Sequence, residues 1–255
     1  MRKLFLVLLC STLLFSGVAP ISAETQTSKE SSSESEKQIR ENLKMIVEKD
    51  DYLEYTYQEN GESYKVKEEI SKNVLGTNIS SVIYKKNKNN KYVKDSSQQT
   101  KYSTDTSVME IETFDKNNEN VERQTLQLKT DDKMNKKDAT NISPYNHDPD
   151  WTFVGTFYYD SRIKNLTIAA ISVIIGNIVP LIPVKVVSGI AAAAYAIYAE
   201  NLYYKVKEWG IYYPGTIIPA GKEEHVWIYT DKYRKNLVPN QGHWPKAIIR
   251  NYPKP

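Results

Sequence analysis

An α+β fold is predicted, with an antiparallel β meander followed by aromatic-rich antiparallel strands that carry an inserted apolar helical hairpin. Three observations lead to it. Alternation of apolar and polar residues, broken by turn signals, runs from residue 52 to residue 128. Residues 165–184 are 20 consecutive uncharged positions, and after Lys185 another 14 follow, 186–199. Tyrosine- and tryptophan-rich runs of strand composition flank that block.

Arg2 and Lys3, an apolar run over 4–14 and Ile21-Ser22-Ala23 before Glu24 predict a signal peptide, residues 1–23, cleaved after Ala23. The small residues and Pro20 favour cleavage over a retained anchor. Cys10, the only cysteine, lies within this stretch, and Leu8-Leu9 before it do not suit a lipidation site. A mature chain without cysteine fits secretion from a Gram-positive bacterium, and an extracellular location is expected, with no wall-sorting tail at the end. Residues 24–37 are a Ser/Glu-rich leader, too polar to bury a core and expected to be disordered.

Residues 38–130 form the acidic β-rich part. Ile39, Leu43, Ile46 and Val47 have helical spacing and predict one short helix over 38–49. Residues 52–57 then alternate, Asn60-Gly61 predicts a tight hairpin turn, and residues 64–67 return. Residues 81–86, 91–94, 108–114 and 121–128 are further strands. Residues 131–150 are a polar linker with two prolines and no period. The charge balance also switches there. Residues 24–150 carry 20 Lys+Arg against 25 Asp+Glu, and residues 151–255 carry 12 against 6. A domain boundary near residue 145 follows. The basic part, 151–255, holds all four tryptophans and eleven of the nineteen tyrosines. It reads as a strand over 151–159, the hairpin over 162–204, strands over 203–213 and 224–233, and a last strand over 247–252.

The hairpin dominates the functional reading. A helix apolar on every side belongs in a core or in lipid, and a part of about 105 residues has little interior for two of them. Pro180 and Pro183 force a reversal between the limbs. The expected membrane-inserting residues are Ile168, Ile171, Ile174, Ile175, Gly176, Pro180, Pro183, Gly189, Ala193 and Ile197. Gly189 and Ala193 have the small-xxx-small spacing that lets helices approach closely in lipid. Arg162, Lys164 and Lys205, with Tyr203, Tyr204 and Trp209, are expected at the interface, on anionic headgroups or wall polymers. Each limb is shorter than the roughly 20 residues a simple span needs, so insertion would involve tilt, thinning or oligomers. The competing reading is a core hairpin packed on an aromatic sheet.

Catalytic chemistry finds little support. His147, His225 and His243 are far apart, without cysteines or carboxylates at metal-ligand spacing, and are expected as surface residues. Glu223 and Glu224 are expected as turn charges after Gly221. No nucleophile elbow, phosphate loop or zinc-protease signature occurs. A non-enzymatic protein without cofactor or metal is expected. No nucleic-acid-binding module is recognisable, although Tyr204-Lys205-Val206-Lys207 alternates aromatic and basic residues.

The leader, the acidic intermediate region, the segment SVIIGNIVPLIPVKVVSGIAAAAYAIYAE and the tyrosine-rich strand YYKVKEWGIYY together resemble large secreted bacteriocin precursors of Gram-positive bacteria, the geobacillin-like, non-lantibiotic type. The resemblance is architectural and is best over residues 151–233. It implies action on the envelope of related bacteria, with an acidic part that acts as pro-segment, self-protecting or targeting region. The expected function is therefore a secreted antibacterial protein that perturbs membranes of competing Gram-positive cells through the hairpin. Its partner would be an anionic target membrane or a wall polymer, with an immunity protein or receptor as further candidates. The alternative is a secreted binding or adhesion protein whose hairpin is buried core.

Overall fold

Each strand of the acidic part pairs with the next in sequence. In the computed structural model of the chain, residues 40–128, 151–213, 217, 219–239 and 250–251 are described. The strands β1 (Glu41–Glu48), β2 (Tyr52–Glu59), β3 (Glu62–Asn73), β4 (Gly76–Lys86), β5 (Tyr92–Ser103), β6 (Val108–Asp115) and β7 (Asn120–Gln127) form one seven-stranded antiparallel sheet in sequential order. The Asn60-Gly61 turn has positive φ at both residues, 53° and 76°, as a two-residue hairpin requires.

β8 (Thr152–Arg162) follows, then α1 (Ile168–Ile178), α2 (Val184–Ala196), β9 (Asn201–Tyr212), β10 (Pro219–Tyr229) and the two-residue β11 (Arg250–Asn251). The second sheet has the order β11-β10-β9-β8. The α+β class and the arrangement of meander, hairpin and aromatic strands are as the sequence predicts. The signal peptide with Ala23, the Ser/Glu leader and the linker 131–150 lie outside the described residues, as do His147, His243 and Trp244.

Local expectations need three corrections. The segment expected as a helix over 38–49 is the edge strand β1. Its pairing with β2 slips between Glu41 and Lys44 and again between Met45 and Val47, yet Leu43, Met45 and Val47 still alternate inward while Ile46 is exposed. The first limb of the hairpin starts six residues later than expected, because the stretch up to Arg162 stays paired with β9. The second limb ends at Ala196 rather than Tyr204, where the chain has already entered β9.

The described residues belong to one compact unit, Lys37–Pro255. Leu53, Tyr55, Val66, Ile79, Met109 and Ile111 of the meander share one apolar core with both helices and with Leu202, Tyr204, Val206, Val226 and Ile228 of the second sheet. The hairpin therefore lies on the acidic meander. Much of its cover comes from residues of the meander, more than 50 positions earlier in the chain.

Candidate functional site

The site is the seam between hairpin and meander. Strand register sets its chemistry. Leu53 on β2 stands opposite Glu68 on β3, Glu68 opposite Ser81 on β4, Ser81 opposite Gln98 on β5, and Gln98 opposite Thr113 on β6. A polar row thus crosses an otherwise apolar sheet face. It meets the start of α1, where backbone N–H groups lack intrahelical partners. Thr167, the N-cap residue, makes no side-chain cap. The meander supplies the caps instead: the Ile168 N–H donates to Tyr55 Oη at 3.4 Å and the Ala169 N–H to Glu68 Oε1 at 3.2 Å. Ser81 Oγ donates to Glu68 Oε2 at 2.9 Å, and Gln98 Nε2 donates to the Asn165 carbonyl at 3.0 Å.

Glu68 and Ser81 are fully buried. Desolvation pushes the Glu68 carboxyl above the usual glutamate range, and hydrogen bonds from Thr167, Ala169, Ser81 and Tyr55 partly offset the rise. A carboxylate also suits the positive end of the α1 dipole.

The other end of the hairpin receives the opposite charge. The Arg40 N–H donates to the Ala196 carbonyl at 2.8 Å, at the C-terminus of α2. Its guanidinium lies 3.8 Å from the Tyr195 ring centre, 4.6 Å from that of Tyr198 and 5.3 Å from that of Tyr57, with Glu59 Oε1 at 3.6 Å. Tyr195 packs edge-on against Tyr55 and Tyr57, each with 5.5 Å between centroids. The meander thus holds α1 by an acid at its N-terminus and α2 by a cation at its C-terminus. Glu68 carries a signal in the sequence: Tyr64, Val66, Glu68 and Ile70 have one parity, so a charge interrupts an apolar face. Arg40 carries none, because its partners come from the far end of α2.

The structure divides the expected insertion residues. Ile168, Ile171, Ile174, Ile175 and Ala193 are buried in the core. Gly176 and Ile197 are half-buried, while Pro180, Pro183 and Gly189 are exposed. The expected interfacial group is not a belt. Arg162 is exposed, and Lys164 pairs with Glu200 at 2.6 Å beside the hairpin base. Lys205 lies along β9 near Trp227, and Trp209 is at the far end of that strand against Phe153. Tyr203 is half-buried. Tyr204 is fully buried, with its hydroxyl 3.1 Å from Ser161 Oγ, so an interfacial role does not fit it.

His225, Glu223 and Glu224 also depart from expectation. They are buried on β10, with His225 Nε2 2.5 Å from Glu223 Oε1. Among the described residues no group of three or more His, Cys, Asp or Glu is placed to hold a metal ion.

Beside the seam, a cavity of about 360 Å³ separates α1 and α2 from one end of the meander. Thr77, Thr104, Pro180 and Val184 all line it. The β3–β4 tip adjoins that wall, because the Thr104 N–H donates to the Leu75 carbonyl at 2.9 Å. At this end Val74 is 91% exposed, Leu75 64% and Val184 59%. Exposed Lys72 and Lys185 stand among them. The molecule therefore has one end with two apolar loop tips and adjacent lysines. Among the described residues no helix is long and apolar enough to cross a membrane.

Comparison of the chain with known protein families, with curated proteins and with solved structures gives no match.

Proposed function

We propose that this chain is a secreted, non-enzymatic antibacterial protein that perturbs the membranes of competing Gram-positive cells. In this reading the apolar hairpin is stored on the acidic meander, and the end bearing Val74, Leu75 and Val184 meets lipid first. That exposed apolar end, set among lysines, is the observation that carries the proposal. The architectural resemblance to large bacteriocin precursors agrees with it.

The helices limit the mechanism. At 1.5 Å per residue, α1 with 11 residues and α2 with 13 extend only about 16 and 20 Å, against about 30 Å of hydrocarbon. Action by shallow insertion, or by assembly of several hairpins, fits these lengths. Undocking would uncover Ile168, Ile171, Ile174 and Ile175 of α1, with Val187 and Ile190 of α2. At roughly 1.5–3 kcal/mol per side chain the cost is on the order of 10 kcal/mol, which lipid contact must offset.

A disulfide staple tests the stored hairpin. Ser81 Oγ and Thr167 Oγ1 are 3.4 Å apart across the seam, and a Cys10→Ser background removes the native thiol. Oxidised Ser81→Cys/Thr167→Cys protein should leave anionic vesicles intact, and reduction should restore dye leakage. Equal leakage from the oxidised form would rule out hairpin release. The burial of both limbs favours the second reading, a secreted binding or adhesion protein with a core hairpin. Wild-type protein that leaks no vesicles at any lipid ratio would select it.

A further inference from the structure

We propose that the cavity beside the hairpin binds a single acyl chain with an anionic headgroup. The inference stands on the cavity itself and not on membrane perturbation. The volume of about 360 Å³ lies at the low end of ordinary small-ligand sites, which suits one chain and not a two-chain lipid. Leu53, Ile70, Val173, Ile182 and Val187 supply apolar walls.

Two polar contacts of the wall are made within the protein, and Thr77, Thr104 and Ser188 add hydroxyl-bearing side chains to the lining. Ser172 Oγ donates to the Ile168 carbonyl at 2.9 Å, and Tyr102 Oη donates to Asn177 Oδ1 at 2.5 Å. A hydrocarbon chain leaves the Ser172 and Tyr102 hydrogen bonds intact and packs on the five apolar side chains. The mouth has a different character. Lys49 and Lys72 line it with Asp50, and all three are exposed. Two cations against one carboxylate favour an anionic head in water above a buried tail. The mouth also adjoins the apolar Val74-Leu75 tip and Val184, so a chain leaving a lipid surface would pass apolar side chains on its way in.

Gly176 offers a clean probe. It lines the cavity, and a Cβ added there meets no atom within 4 Å. Leucine at this helical position would project into free space and would also favour the helix over glycine. Gly189 is equally unobstructed but does not line the cavity, so Gly189→Leu is the matched control.

The full chain would be titrated, below the micellar range, with dodecanoate, dodecyl phosphate, dodecanol and dodecyltrimethylammonium, each displacing a fluorescent fatty acid. Dodecanoate should bind at least tenfold more tightly than dodecyltrimethylammonium. Gly176→Leu should weaken dodecanoate at least tenfold, and Gly189→Leu should change it less than twofold. Lys49→Gln/Lys72→Gln should weaken dodecanoate and leave dodecanol unchanged. Comparing dodecanoate with dodecyl phosphate separates a free fatty acid from a phospholipid-derived head as the source. Should Gly176→Leu fail to fold, Val173→Phe fills the same space. No saturable binding of any amphiphile, equal binding of the cationic one, or an unchanged affinity in the cavity-filling variant would overturn the proposal.

Discussion

Glu68 accepts hydrogen bonds from β4 on one side and from the first turn of α1 on the other, which couples its ionisation to hairpin docking. Burial raises its pKa, so the folded chain holds this proton more tightly than the unfolded chain. Its contribution to stability is fully present below the ordinary glutamate value and fades as pH rises through the elevated one. Glu54 has the opposite sign. The hydrogen bond from Lys65 holds its carboxyl below the usual range, so its contribution is present at neutral pH and lost on acidification. Glutamine at position 68 keeps an acceptor for the Ala169 N–H, supplies a donor toward Ser81 or Thr167, and removes the charge. Glu68→Gln should therefore melt above wild type at about pH 7–8, with the gap closing toward about pH 4–5. A gap that does not move with pH would show that ionisation of Glu68 is irrelevant to docking. Alanine at the same position strands the buried donors and should cost about 1–3 kcal/mol near about pH 4–5, with the cost shrinking as pH rises.

Whole strands were legible where period and turn chemistry agreed. Asn60-Gly61 between two alternating runs specified a hairpin, and the order of the meander followed from it. β5 is half hidden in the sequence, because Asp95 to Lys101 is entirely polar, yet Gln98 and Thr100 on this stretch are buried. β1 imitates a helix because Ile46, apolar but on the exposed face, stands beside the inward Val47 and completes a helical spacing with Leu43. Glu68 and Arg40 depend on contacts across 100 or more residues, and the cavity wall on a contact across 75, all beyond the reach of local patterning. The β3–β4 connection was missed for a different reason, since Val74 and Leu75 at its tip are apolar where turns are usually polar. Its geometry rests on Gly76, at φ +154°, where an added Cβ would lie 1.8 Å from the Tyr102 carbonyl oxygen. Gly76→Ala should destabilise the chain by at least about 2 kcal/mol, read as a lower midpoint in urea unfolding. An unchanged midpoint would mean that the tip relaxes without disturbing β5.

At the scale of the whole molecule, charge and apolarity are arranged by end as well as by face. The sequence leads to the expectation that the hairpin of the basic part inserts in lipid, with basic and aromatic residues of the same part at the interface. Instead its apolar helices are largely enclosed, and the exposed apolar end is assembled jointly from the β3–β4 tip of the acidic part and the start of α2. Val74→Asp/Leu75→Asp tests that end. These side chains are exposed, so the melting temperature should shift little, within about 0.5 kcal/mol of stability. Co-sedimentation with anionic vesicles should fall at least tenfold. Sedimentation equal to wild type would move the lipid-binding face elsewhere.

The sequential pairing of β1 to β7 also has a temporal meaning. Neighbouring strands close on one another with little loop entropy, so the sheet can assemble as soon as its own residues have left the ribosome. The apolar hairpin emerges only afterwards and finds its cradle already built. Reversing that order by circular permutation would present naked isoleucines to water first, and clumping during refolding is the penalty such a rearranged chain should suffer.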